Sequence, residues 1–417
     1  GMLIRRLESD PGRDLSKNIR QGSTLSNDQF AGERFHYCLS NPPFGKKWEK
    51  DKKAVESEHE KGELGRFGPG LPKISDGSML FLMHLASKLE LPDNGGGRAA
   101  IVLSGSPLFN GGAGSGESEI RRWLLEKDLV EAIVALPTDI FFRTNIATYL
   151  WVLSNKKADE RKGKVQLINA TSLWSPIKNE GNKRRIVSDD QQRQILEIYA
   201  AGENDELSRM LDYRTFGYRR IKVLRPLRMK LQLDDAGLKR LQDEAAWGKL
   251  PAEHQSFWLN ALKPFTGETL PYQWADSFAK DTAKTPEAKA LKLKAPKAFV
   301  TALVDAFGHK NADAEPVTDA KGNFIADTDL TDYENVPYMD SIDEYFAREV
   351  LPHVPDAYID ESFIDNKDKK LGRVGYEINF NRFFYEYQQP RKLHDIDTEL
   401  KEVEAEIAAL LAELATE

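Results

Sequence analysis

Continuous apolar runs separated by amphipathic or polar segments dominate the first 170 residues of the chain. Residues 34–40 predict a first strand, and further buried strands are predicted over 99–103, 130–136, 147–153 and 165–168. Helical periodicity predicts one helix that starts at Asp76 or Ser78 and runs to about Leu91, and a second from about Ser118 to Lys127. Strands that alternate with helices in this way favour an α/β domain with a largely parallel sheet.

A long hydrophilic stretch, residues 45–75, separates the first strand from the first helix. It is rich in Gly, Lys and Glu, and it ends in the run Gly65–Pro72. The composition predicts a long, mobile loop. Loops of this length in compact domains often act as lids or binding loops.

The pattern changes after about Thr171. Residues 187–249 predict mainly charged helices, interrupted by a basic strand over 216–223, and residues 250–335 predict an irregular region with short helices. We therefore divide the chain into a partial α/β domain over 1–170, a mixed, mostly helical C-terminal region over 171–390, and a terminal helix over 391–417.

Apolar residues in the terminal helix recur at alternating intervals of four and three, which is a heptad seam. Under three heptads form too short a helix to be stable alone, so this helix needs something to pack on. Either it packs on its own domain or it docks on a helix of a partner, and the pattern leaves both open. The seam residues are Ile396, Leu400, Val403, Ile407, Leu410 and Leu414, with Leu411 beside them.

The composition is that of a soluble globular protein, with 40% hydrophobic and 30% charged residues among 417. No apolar run reaches transmembrane length, and the first residues are too charged for a signal peptide. The single cysteine, Cys38, excludes an intramolecular disulfide, is expected to be a buried, inert thiol, and fits a reducing cytoplasm. Seven histidines without paired spacing predict no metal site.

The formal net charge of −7 disfavours a stand-alone DNA-binding module, since such modules usually carry a basic surplus. If the chain acts on DNA, another subunit or a local basic patch must supply the affinity for phosphate.

The sequence Asn41-Pro42-Pro43-Phe44 follows directly after the first predicted strand. A proline-stiffened turn at a strand end can hold a side-chain amide and a backbone carbonyl against one amino group. The alternative is a loop that merely turns after a strand. In its strand context the motif resembles the catalytic loop of methyltransferases that act on the exocyclic nitrogen of adenine or cytosine.

The order of segments over most of the chain resembles the modification (methyltransferase) subunit of type I restriction-modification systems. The resemblance is weakest over 250–335. The stretches that carry it are 25–28, 41–45, 76–103, 108–112, 120–125, 135–137, 140–148, 165–170, 216–227, 375–380 and the terminal helix.

The resemblance implies an adenine-N6 DNA methyltransferase with a Rossmann-like sheet that uses S-adenosylmethionine. It implies assembly with a specificity subunit, which reads DNA and offers helices to residues 391–417, and with a restriction subunit. Asn41, Pro42, Pro43 and Phe44 would be catalytic, and Asn41 and Pro42 would also contact the cofactor. The expected DNA-binding residues, all in the 45–75 stretch, are Lys46, Lys47, Trp48 and Arg66.

The chain departs from the family at its start. The family begins with a helical domain and a Gly-rich cofactor loop after the first strand, and nothing before Asn41 matches that loop. We therefore expect only the later half of the sheet, with an open strand edge that invites self-association. A truncated, catalytically silent module that only binds partners is the alternative function. A methyltransferase for protein glutamine or for RNA is a third, against which the terminal helix and the downstream match argue.

Overall fold

A computed structural model describes residues 18–142, 144–180, 183–294, 297–319, 321–385, 387 and 392–414 of the protein. The chain divides into two compact units. The first is drawn from Gly1–Asn110, Trp123–Tyr213 and Glu377–Glu417, and the second from Gly111–Arg122 and Arg214–Tyr376.

The first unit is built on a six-stranded sheet with strand order β1-β2-β4-β3-β5-β8, and it also contains a separate hairpin of β6 and β7. The strands of this unit are β1 (Tyr37–Ser40), β2 (Arg98–Ser104), β3 (Val130–Leu136), β4 (Thr148–Ser154), β5 (Lys164–Asn169), β6 (Ser175–Glu180), β7 (Lys183–Ile186) and β8 (Ser208–Asp212). The predicted α/β class is therefore confirmed, with each expected strand present.

The sheet is mixed, so the expectation of a largely parallel sheet is wrong. β1 pairs with β2, and β3 with β5, in parallel. β4 runs antiparallel to both β2 and β3, and β8 runs antiparallel to β5. A continuous apolar run predicts a strand buried on both faces, but it carries no information about direction.

Helices in the first half of the chain include the two that were predicted. The first of them ends at Ser87, about one turn before the predicted end at Leu91. The helices up to residue 201 are α1 (Lys52–His59), α2 (Ser78–Ser87), α3 (Ser106–Phe109), α4 (Gly116–Glu126) and α5 (Asp189–Ala201).

One face of the sheet is buried along its length, whereas the other is covered only in part. Ile101 and Trp151 are buried on the first face. On the second face, α5 packs over β3 and β5 through a cluster around Val134. The same face of β1 carries Tyr37 and Leu39, which are 81% and 80% exposed. Among the described residues, β1 is thus an edge strand whose apolar face no other element covers.

Residues 250–335, expected to be irregular with short helices, contain helices that pack around a shared apolar core. Trp258 and Phe299 stack at its centre, with ring centroids 4.4 Å apart. Alanine and lysine between the aromatic positions weaken the periodicity in the sequence, which conceals this core. The helices between residues 235 and 345 are α6 (Asp235–Asp243), α7 (Ala245–Gly248), α8 (Ala252–Leu262), α9 (Trp274–Thr282), α10 (Pro286–Ala290), α11 (Lys297–Phe307) and α12 (Ile342–Tyr345).

Two small sheets complete the second unit. In one, β9, which is the predicted basic strand, pairs with β13, β14 and β15; in the other, β10 lies between β11 and β12. The strands are β9 (Gly217–Leu224), β10 (Met229–Gln232), β11 (Thr269–Pro271), β12 (Gly308–Lys310), β13 (Asp332–Pro337), β14 (Tyr358–Ile359) and β15 (Arg373–Tyr376).

The predicted terminal helix forms α13 (Leu393–Leu414). Its seam residues Leu400, Val403 and Ile407 are each more than half exposed, and Ile396 is 38% exposed. The side chains of Leu410, Leu411 and Leu414 lie outside the described residues. No helix in the described ranges is long and apolar enough to cross a membrane.

Candidate active site

Asn41 to Phe44 begin where β1 ends, beside β2, which runs parallel to β1 and continues past Ser40. The loop therefore lies at the carboxyl end of a parallel strand pair. Crevices at this end of the strands are the usual ligand-binding positions in α/β sheets.

The four residues of the loop differ in their exposure. Asn41 and Pro43 are exposed, Phe44 is half-buried and Pro42 is buried. The Asn41 amide forms no hydrogen bond with any residue that the structure describes. The two prolines restrict the backbone, because the ring fixes φ. The result is an unpaired amide on a stiff support.

Trp48 anchors the far end of the stretch 41–48, here called the Asn41 loop. Its backbone N–H donates to the Ile74 carbonyl at 3.2 Å, and its indole Nε1–H donates to the Lys73 carbonyl at 3.0 Å. The side chain is 3% exposed. The Gly77 N–H also donates to the carbonyl of Lys46 at 3.0 Å. Trp48, expected to bind DNA, therefore holds the loop in place in this structure, and DNA contact by its ring stays a prediction.

Asp76 connects the turn before α2 with the turn after β2. Its Oδ1 accepts from the Ser78 N–H at 3.0 Å and the Ser78 hydroxyl at 2.6 Å. Its Oδ2 accepts from the Ser106 hydroxyl at 2.6 Å, and the Ser104 hydroxyl lies 3.0 Å from that of Ser106. The sequence alone did not single out Ser104 and Ser106, although their position at the end of a buried strand could have indicated them.

A second aromatic ring lies against the Asn41 loop. Phe141 follows β3 and approaches Phe44 edge-on, with ring centroids 6.3 Å apart. Thr148 begins β4 opposite Ser104, and its buried hydroxyl has no hydrogen-bond partner among the described residues. The site thus combines one exposed amide, two aromatic rings and several hydroxyls at one edge of the sheet.

The stretch 45–75, expected to be a mobile loop, contains α1 and is fixed by two fully buried side chains, Val55 and Phe67. Arg66 holds it through paired hydrogen bonds to Glu58, one of them 2.8 Å long, and through the carbonyls of Thr24 and Leu25. The helix escaped prediction because only one of its residues is buried.

His84 on α2 accepts a hydrogen bond of 2.8 Å from Arg66 at Nδ1. Burial and the neighbouring Arg66 charge lower the pKa of His84 from 6.5 to about 4. The imidazole is therefore neutral at pH 7. Arg66 is committed to this network, so its expected contact with DNA stays a prediction.

Lys46 and Lys47 are exposed cations of the Asn41 loop. Neither forms an ion pair with a described residue. Their contact with DNA phosphates stays a prediction. Cys38 is buried, as expected, and burial raises the pKa of its thiol. The described residues contain no cluster of three or more potential metal ligands.

Comparisons with known proteins agree with the motif. A methylase subunit of the type I restriction enzyme MjaIX of Methanocaldococcus jannaschii is 27% identical over 198 residues, which are 46% of this chain and 33% of that protein. The corresponding subunit of MjaVII from the same organism is 30% identical over 200 residues, 46% of this chain and 32% of that protein.

A solved type I methyltransferase subunit from Streptococcus thermophilus shares 30% sequence identity and covers 46% of this chain and 38% of its own, with a TM-score of 0.39. The chain thus spans about a third of the length of the curated relatives it matches. The family described as N-6 DNA methylase matches residues 4–214, about half of the chain, and this range includes the Asn41 loop. The chain belongs to the N-6 DNA methylase family.

Proposed function

We propose that this chain is the catalytic part of a type I modification subunit, which methylates adenine N6 in DNA. The observation that carries the proposal is the free, exposed Asn41 amide on a loop stiffened by Pro42 and Pro43 and anchored by Trp48. DNA methylation is the activity of the family; the choice of adenine and the dependence on S-adenosylmethionine are parts of the proposal.

The chain's own residues would act on the amino group of the base. The nitrogen lone pair of adenine N6 is delocalised into the ring, so the nitrogen is a poor nucleophile. The Asn41 side-chain oxygen and the Pro42 carbonyl would accept hydrogen bonds from the two N–H groups of this amino group. These bonds would favour a tetrahedral nitrogen. Phe44, supported by Phe141, would stack on the base after it leaves the duplex. S-adenosylmethionine would supply the electrophilic methyl group.

The described residues supply only one wall of a cofactor site. Asn41 and Pro42 could line it, but no described strand lies on the outer side of β1, and no glycine-rich loop follows a strand there. A specificity subunit would supply DNA recognition, a restriction subunit would join the complex, and a cytoplasmic location is part of the same proposal.

Calorimetric titration of the chain with S-adenosylmethionine tests the proposal first. Binding at micromolar strength, followed by transfer of labelled methyl to adenine-containing duplex when the specificity subunit is added, is the expected result. Binding without any transfer in that complex would refute the catalytic role.

The second candidate is a catalytically silent module that binds partners. The exposed side chains of Tyr37 and Leu39 on an edge strand favour it, because such an edge can pair with another chain. Absence of cofactor binding, together with a stable complex with the specificity subunit, would select this function over the first.

A further inference from the structure

The antiparallel strand pair of β6 and β7, residues 175–180 and 183–186, is a local basic element on an acidic protein. Four of its residues are cationic, and Glu180 is its acidic residue, whereas the whole chain has a net charge of −7. None of the four cations forms an ion pair with a residue that the structure describes. The four, which define the basic hairpin, are Lys178, Lys183, Arg184 and Arg185.

The basic hairpin is fixed to the turn that follows β3. The backbone N–H groups of Arg184 and Arg185 both donate to the Asp139 carbonyl, at 3.0 and 3.2 Å. The Arg185 guanidinium donates to the Thr138 hydroxyl at 3.1 Å and stacks 3.9 Å above the Trp174 ring. Arg185 therefore anchors the element, while the exposed side chains of Lys178 and Arg184 are available to a ligand.

The same turn leads directly to the aromatic wall of the active site. Phe141, two residues after Asp139, contacts Phe44, and the Lys183 ammonium lies 5.4 Å from the centre of the Phe142 ring. Two residues span at most about 7 Å. A DNA strand rises about 3.4 Å per phosphate, so the hairpin lies within a few nucleotides of a base held against Phe44.

We propose that the basic hairpin binds the sugar–phosphate backbone of DNA beside the target base. Lys178 and Arg184 are the residues that contact the phosphates. This inference rests on the proposed function and adds a DNA-binding element outside the 45–75 stretch. The Phe142 and Trp174 rings, which contact the neighbouring cations Lys183 and Arg185, place aromatic surface in the same element as the two exposed cations. Aromatic rings beside cations suit a strand whose bases are partly unstacked. The hairpin also places a local positive charge where the acidic chain needs one.

The test measures binding of a fluorescent DNA duplex to the chain by anisotropy, over a series of salt concentrations. The variant is Lys178→Ala/Arg184→Ala, and the matched control is Lys239→Ala/Lys289→Ala, which removes two exposed cations from the second unit. Each lost phosphate contact lowers the slope of log K against log salt by about 0.9. We expect the slope to fall by about 1.8, with roughly 10- to 100-fold weaker binding at 0.1 M salt.

Lys178→Arg/Arg184→Lys should retain the slope, since it conserves charge. The proposal would be overturned by an unchanged salt slope in the alanine variant or by an equal fall of the slope in the control. It would also be overturned if the wild-type chain bound no DNA, or if it preferred an RNA of the same sequence. Methyl transfer is measured separately. If the complex transfers methyl but the alanine variant has the wild-type salt slope, the role of the basic hairpin is refuted and the proposed activity stands. If the alanine variant has the smaller salt slope but the complex transfers no methyl, the proposed activity is refuted and the role of the hairpin stands.

Discussion

Phe141 meets Phe44 edge-on, with ring planes at 68° and centroids 6.3 Å apart. The contact joins the loop after β1 to the turn after β3, which are almost 100 residues apart in the sequence. Because Phe141 already restricts the Phe44 ring, that ring loses less conformational entropy when a base stacks on it. The pair therefore makes the Asn41 loop part of a preformed surface.

We expect Phe44→Ala to lower methyl transfer by about 5- to 150-fold, since stacking on one base is worth about 1–3 kcal/mol. Phe141→Ala should lower it by less, because an edge-on aromatic pair contributes about 0.5–1.5 kcal/mol. The measurement is a double-mutant cycle on transfer rates with the specificity subunit present. Strictly additive effects would show that Phe141 acts independently of Phe44.

Asn41→Ala should abolish methyl transfer without changing the stability of the chain. Asn41 is exposed and makes no hydrogen bond with a described residue, so its replacement should change the free energy of unfolding by no more than about 0.5 kcal/mol. Asn41→Asp is the matched control, because it retains an oxygen acceptor and should retain part of the activity. Transfer at the wild-type rate by Asn41→Ala would refute the catalytic assignment.

The sequence predicts the strands of the central sheet well and the contacts between distant loops poorly. β3 and β4 are apolar along nearly their whole length, and burial dictates such a pattern wherever a strand is covered on both faces. The Asn41 loop is recognisable from the sequence because its two prolines restrict the local backbone whatever the rest of the fold. The bridge from Asp76 to Ser106 joins residues that no local periodicity relates, and the basic hairpin is too polar to resemble a buried strand.

Ser106→Ala should loosen the connection between α2 and the end of β2. It removes the hydroxyl that donates to Asp76 Oδ2, and a hydrogen bond to a charged group contributes about 1.5–3 kcal/mol. Urea unfolding measures the loss of stability, and Ser104→Ala, which touches Asp76 only through Ser106, is the control with the smaller expected effect. Equal losses from both variants would show that the carboxylate is not the main partner.

The stability of the first unit should fall as the pH falls from about 6.5 to 4. The pKa of His84 is about 4 in the folded chain and about 6.5 when unfolded, because burial and Arg66 disfavour the charged imidazole. In this window the unfolded chain binds the proton more readily, so acid favours unfolding by at most about 1.4 kcal/mol per pH unit. Stability from this group is fully present above pH 6.5.

His84→Asn should flatten that dependence in urea unfolding followed at pH 7, 6 and 5, since an amide oxygen can accept from Arg66 without titrating. The pKa values of Asp28 and Glu58 in the same network are lowered by Lys88 and Arg66 despite burial, which raises them. The stability that these two carboxylates contribute is therefore lost only at a pH below their ordinary pKa values, 3.8 for Asp28 and 4.5 for Glu58. A slope that persists in His84→Asn above pH 5 would assign the effect to another group.

Leu39→Lys should abolish self-association of the chain through β1. The outer edge of β1 pairs with no described strand and presents the exposed side chains of Tyr37 and Leu39. A lysine on an edge strand opposes pairing with a second copy. Sedimentation velocity at increasing concentration should show dimers for the wild type and monomers for the variant. Leu64→Lys is the matched control, because Leu64 is 93% exposed and lies outside the sheet. If dimers persist in Leu39→Lys, or disappear equally in Leu64→Lys, the interface lies elsewhere. A monomeric wild type would show that the β1 edge does not pair with a second copy of this chain, so that any partner of the edge is a different chain.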